Sequence, residues 1–207
     1  MLTDEFEEVL SFWYPSRLSS DRADIIRQVE WWFRGGADSA ILERFQPLLE
    51  RAVWGEIDSW ARTPRSWLAL IVVLDQFSRT VYRGTAGAFA QDAKAVSLTL
   101  EGLENGHYAA LESPWQKTSF FLPLGHPENL VHLDRVVQLA QELVPEVSQE
   151  LHWWLEFSTN QARGNRDVIA RFGRHPHRNE TLGRQSTQEE LEYVVAGQFV
   201  HTRQLPR

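Results

Sequence analysis

The sequence predicts an all-α fold, a single domain of eight or nine helices spanning residues 1–207, and three observations predict it. Apolar residues recur at helical spacing from end to end. Capping residues and prolines stand where helices would start, and glycines where they would stop. Alternating runs joined by two-residue hairpin turns are missing.

Each element follows in order. Phe6, Val9, Leu10 and Trp13 form an amphipathic face that Pro15 should end. Ser20 is placed to cap a second helix carrying Ile25, Ile26, Val29, Trp32 and Phe33, closed by Gly35-Gly36. Asp38 is placed to cap a third, with Ile41, Phe45, Leu48 and Leu49 inward and a kink or restart expected at Pro47. Thr63-Pro64 opens a fourth that is apolar nearly all round from Trp67 to Phe77, the pattern of a central helix. By composition alone "WLALIVVL" also fits a buried strand. Its cap and its run into "DQFSR" favour a helix.

Phe89, Ala93, Val96, Leu100 and Leu103 make the next stripe, ended by Asn105-Gly106. Ser113-Pro114 opens a short helix through Phe120 and Phe121. Leu130, Leu133, Val136, Val137 and Ala140 follow, with His126-Pro127-Glu128 at the helix start and Glu128 in the first turn. Val147, Leu151, Trp154, Leu155 and Ser158 begin a long helix that reaches Phe172 past a weak point at Gly164. "STQEE" offers two overlapping capping boxes, Ser186 with Glu189 and Thr187 with Glu190.

Composition bounds the function. The net charge of −7 disfavours general nucleic-acid binding, which depends on a cationic face. With no cysteine there is neither a disulfide framework nor a thiolate nucleophile. The acidic start "MLTDEFEEVL" does not resemble a secretory signal, and the longest apolar run is too short to span a bilayer. A cytoplasmic protein without a membrane partner is expected. Nine tryptophans fill a thick core or line a cavity.

Three polar blocks interrupt the apolar pattern. In "LDQFSRTVYRG", Asp75, Arg79 and Arg83 are four apart and share a face if the helix persists, with Gln76 beside them. In "PLGHPENL", His126 and Glu128 offer a proton carrier and an acid. From Arg163 to Arg184, six arginines face only Asp167 and Glu180, a local excess of four positive charges. Arginine forks suit carboxylates and phosphates, and His177 exchanges protons near neutral pH. The same arginines also suit structural pairs with Asp75, Asp92 and Glu128. His175-x-His177 with Glu128 or Asp75 would make a two-histidine, one-carboxylate metal set, but no helical metal motif accompanies it, and no metal or cofactor is expected. No G-x-S-x-G elbow and no glycine-rich phosphate loop occurs.

These motifs resemble the bacterial nine-two-four family of domains of unknown function over nearly the whole chain. The resemblance is carried by "LALIVVLDQFSRTVYRGTAGAFAQDAKA", "FFLPLGHPENL" and "RDVIARFGRHPHRNETLGRQSTQEE", with weaker support from "VLSFWY" and "WWF". It implies a tetratricopeptide-like helical bundle and no settled activity. It marks Asp75, Gln76, Arg79, Arg83, Asp92, His126, Glu128, Arg171, Gly173, Arg174, Pro176, His177, Arg178, Asn179, Gly183 and Arg184 as motif positions. This chain departs from the usual pattern at His175 (usually phenylalanine), at Pro127 and Asn129 (usually H-S-E-D), at Thr80 (usually asparagine) and at Asn165 (usually histidine).

The expected function is a metal-free acid/base site for a small anionic molecule. His177, Glu128, His126 and Asp75 would be catalytic, and Gln76, Arg79, Arg83, Arg174, Arg178 and Asn179 would bind the ligand, all converging on one hollow. The alternatives are a helical adaptor for a peptide or protein partner, and a purely structural set of helix-locking pairs.

Overall fold

The computed structural model describes residues 2–14, 21–197 and 199–200. Among these it contains nine α-helices and no strand, so the all-helical class is as expected. The helices are α1 (Leu2–Trp13), α2 (Arg22–Phe33), α3 (38–53), α4 (64–81), α5 (Asp92–Glu104), α6 (Pro114–Phe121), α7 (Leu130–Leu143), α8 (His152–Phe172) and α9 (Gln188–Ala196). The tetratricopeptide likeness rests on the family resemblance alone. The chain gathers into two compact units, one of residues 1–83 and 87–123, the other of 84–86 and 124–207.

The first unit is built around α4. Thr63 and Ser66 form the capping box at its start, each backbone N–H meeting the other's hydroxyl at 3.3 Å, and Pro64 occupies the first turn. Every residue from Trp67 to Leu74 is at most 3% exposed. Each large side chain contributes about 1.5–3 kcal/mol relative to leaving it in water. Helix α4 packs against α1, α5 and α6.

Two π-turns were not foreseen. One, Ile41–Phe45, lies in α3 just before Pro47. Proline has no N–H and its ring crowds the carbonyl four residues back, so the kink expected there takes the form of a widened turn. The second, Val73–Phe77, lies in α4 and carries Asp75 and Gln76. Their last residues touch, with the Phe45 and Phe77 rings 5.1 Å apart.

Several boundaries differ from expectation. Pro15 and Ser20 lie outside the described residues; Asp21 caps α2, its Oδ1 accepting from the Ala23 and Asp24 amides at 2.9 and 3.1 Å. Asp38 is in the first turn of α3, not its cap. Helix α5 begins at Asp92, so Phe89 precedes it, and Ala93 and Leu100 face outward. The buried face is Ala95, Val96, Thr99 and Gly102. A pattern weighted to large residues misses a face chosen for closeness: a Cβ on Gly102 would stand 2.4 Å from Phe120 Cζ. The Thr99 hydroxyl uses that closeness to donate to the Phe120 carbonyl at 3.0 Å.

The second unit centres on α7 packed against α8. Asn129, not Glu128, starts α7, its Oδ1 accepting from Val131 and His132 amides at 2.9 and 3.2 Å. Leu133, Val136, Leu139, Ala140 and Leu143 point inward, while Leu130 is 38% exposed. Helix α8 runs unbroken through buried Gly164 and ends at Gly173, whose φ of +70° suits a residue without Cβ. Of the two possible capping boxes at α9 the Thr187–Glu190 pair forms, with amide contacts of 3.2 and 2.8 Å.

Candidate functional site

Among the described residues, each unit holds one cluster of the motif's polar side chains. In the first, the π-turn of α4 buries Asp75 to 1% exposure and Gln76 to 8%. Asp75 Oδ2 accepts from Gln76 Nε2, and Asp75 Oδ1 lies 3.4 Å from Arg79 Nη2. The same Nη2 donates at 2.7 Å to Asp92 on α5. The Arg79 guanidinium also lies over the Phe89 ring, 5.7 Å from its centre. Arg79 therefore sits between two carboxylates on two helices.

Arg83 does not share that face. Helix α4 ends at Val81, and Arg83 pairs instead with Asp38 at 2.8 Å, alongside a 3.1 Å bond from the Thr80 hydroxyl to the same carboxylate. The sequence marks Asp38 only as a cap. An acid more than forty residues away in sequence gives no local signal that it will meet Arg83 and Thr80.

The second cluster joins the "GHPE" block to the "RFGRHPHRN" block. After Gly173 the chain turns through a single 3₁₀ turn, Pro176–Arg178. Glu128 holds that turn. Its Oε1 accepts from the His175 amide at 2.7 Å and from Arg184 Nη2 at 2.9 Å, and its Oε2 accepts from Arg184 Nη1 at 2.7 Å. Arg178 Nη1 donates to the His126 carbonyl at 2.9 Å. Two stretches about fifty residues apart thus close on each other.

Glu190 holds the other side. Both its oxygens accept from the Arg174 fork, at 2.6 and 2.7 Å, and Oε2 also accepts from the Thr187 amide. Buried Asn179 donates to the Ser186 hydroxyl at 3.0 Å. The His177 ring lies 5.2 Å from buried His175 and 5.4 Å from Phe199. His126, Glu128, Arg174, His177, Arg178 and Arg184 are all half-buried, so this cluster borders solvent. Among the described residues no group of three or more His, Cys, Asp or Glu is placed to hold a metal ion.

Residues 9–198 match the profile of a family described as bacterial protein of unknown function, DUF924. The chain belongs to that family. A solved structure of a protein of unknown function from Agrobacterium tumefaciens is similar to this DUF924 chain at 30% identity and a TM-score of 0.73, covering 95% of this chain and 100% of that one. A comparison with curated proteins finds no match. No helix of the described residues is long and apolar enough to cross a membrane.

The electrostatics of the DUF924 chain separate its acids by role. Burial pushes the Glu128 carboxyl up, but the Arg184 fork, the His175 amide and the charges of Arg184 and Arg178 outweigh it and hold it below the usual range. The Arg174 fork dominates at Glu190; burial opposes it, the Thr187 amide and Asn179 reinforce it, and the carboxyl is held down to about 2. Both acids are fixed anions at neutral pH. A carboxylate whose oxygens already accept such bonds is a weak base, so Glu128 is better suited to holding the turn than to moving protons.

The sequence offers Glu128 as one of several partners for the arginines of this block; Arg184 is the one that takes it and clamps it to the His175 backbone. The sequence marks Phe172 only as a helix end and gives no signal for Tyr193 and Phe199, because scattered aromatics carry no periodic pattern. They form a run of ring contacts that reaches His177.

Proposed function

We propose that this DUF924 protein binds a small anionic molecule at the corner formed by His126, His177 and Arg178, and acts on it by metal-free acid/base chemistry. One observation supports this above the others. The Arg178 guanidinium, whose charge reaches Glu128, donates to the His126 carbonyl at 2.9 Å next to His177, which brings a cation and two imidazoles together in a half-buried turn. A cationic site partly shielded from water attracts an anion more strongly than a solvated one. Arg178 grips the anion, and His177 or His126 carries the proton.

In this reading Glu128, Arg184, Arg174, Glu190 and Asn179 are positioning residues. Their bonds fix the 174–184 crossover so that Arg178 and His177 are presented on a rigid turn. The Asp75–Arg79–Asp92 set, with Gln76, ties α4 to α5, and Arg83 ties the end of α4 to Asp38.

Inorganic phosphate is the simplest probe. Well above its dissociation constant, phosphate should raise the melting midpoint by several degrees over a chloride control of equal ionic strength. Arg178→Met, which keeps the apolar stem, should show no such rise. An unchanged wild-type midpoint, or an equal rise in the variant, overturns the proposal.

A further inference from the structure

Of the asparagines in this chain, Asn105 alone is followed by glycine. The pair stands just past the end of α5, and both residues are exposed. Asn105 Oδ1 accepts from the His107 amide at 3.1 Å, so the side chain itself closes the turn. The amides of Asn105 and Tyr108 donate to the Glu101 and Gly102 carbonyls at 2.9 and 3.0 Å, but among the described residues the Gly106 N–H makes no hydrogen bond. Nothing lies within 4 Å of the place where a Cβ would stand on Gly106.

These features supply a nucleophile and a polarised carbonyl. The Gly106 nitrogen attacks Asn105 Cγ and gives up its proton; the bond from Cγ to Nδ2 breaks, ammonia leaves, and a cyclic imide remains. Water then opens the imide at either carbonyl, giving aspartate or isoaspartate, with no oxidant, metal or cofactor consumed. The His107 N–H faces the oxygen on which negative charge grows during attack, the place of an oxyanion donor. The Asn105 ψ of 1° must change to bring the nitrogen to Cγ, and an unbonded glycine amide in open space permits that rotation at low cost. Asn129 is the internal contrast. Its Oδ1 accepts in the same way from the amide two residues on, at 2.9 Å, but Leu130 follows, and a side chain there crowds the attacking nitrogen. Asn160 and Asn165 lie inside α8, where the next amide belongs to the helix, and Asn179 is 1% exposed.

We infer that Asn105 is a modification site, at which the folded chain converts its own side-chain amide to a carboxylate. The new charge falls at the C-terminal pole of α5 beside exposed Glu101 and Glu104, where a negative charge is unfavourable. Isoaspartate also lengthens the main chain by one carbon just before His107, whose ring packs on Trp67 with centres 4.6 Å apart. The test is to hold the folded protein at pH 8 in water enriched in heavy oxygen and then to map its peptides by mass. The peptide carrying Asn105 should lose its amide, take up one heavy oxygen and separate into aspartyl and isoaspartyl forms, about tenfold faster than the peptide carrying Asn129. Asn105→Gln, which must close a larger and slower-forming ring, should keep its amide over the same period. An Asn105 peptide that stays intact in the folded protein, or Asn105 and Asn129 reacting at one pace, overturns the inference. The wild-type map decides the matter even if the variant fails to fold.

Discussion

Glu128→Ala is expected to lower stability by about 3 kcal/mol, a fall in melting midpoint of about 6–12 °C. The cost comes less from the lost attraction than from what stays behind. Arg184 keeps its charge in a half-buried position, and the His175 amide loses its acceptor. The double variant Glu128→Ala/Arg184→Met should therefore be more stable than Glu128→Ala alone, since it removes the stranded charge. Chemical denaturation of the four proteins in the cycle measures the coupling. Additive effects would mean that the clamp contributes nothing, and the turn would then need another anchor.

The second large effect is on acid stability. Glu190 has a folded pKa of about 2 against an ordinary value of 4.5. The unfolded chain therefore takes up the proton first as pH falls. The stabilisation by Glu190 is complete above the ordinary value and is lost progressively between about pH 5 and pH 2. Glu190→Gln should be less stable than wild type by about 2 kcal/mol at pH 7, from weakened charge-assisted bonds to Arg174. That gap should close as pH approaches 2. Glu128, held low by its own arginine, adds to the wild-type loss with the same sign. Thermal melts of both proteins from pH 7 to pH 2 check this, and a gap that stays constant across the range would contradict it.

The fold was legible wherever a local rule acts alone. Thr63-Pro64 announced α4 because capping chemistry and proline geometry act within one turn. The same holds for Gly173, and for Thr187 with Glu190. Local rules failed where two helices decide together. The face of α5 is set by how closely Gly102 lets Phe120 approach, and a pattern that counts large apolar residues weights that face wrongly. The four-residue spacing that aligns Asp75 with Arg83 requires a helix that persists to Arg83, and α4 ends at Val81.

The candidate site shows the same division. An excess of arginine over nearby acid is visible in one sequence, and it correctly pointed to long-range partners. Which acid each arginine takes depends on folding. Arg174 takes Glu190, Arg184 takes Glu128, and Arg79 takes Asp92 with Asp75. The placing of Glu128 one residue before the cap of α7, instead of inside it, is what frees its carboxylate to reach across to His175 and Arg184.

Nitrogen-15 spectra of the arginine side chains during a phosphate titration address the division of labour in this crossover most directly. The Arg178 Nε–H signal should move and saturate with added phosphate, while those of Arg174 and Arg184, held by Glu190 and Glu128, stay in place. An Arg178 signal that ignores phosphate, or three arginines that move alike, would contradict the account.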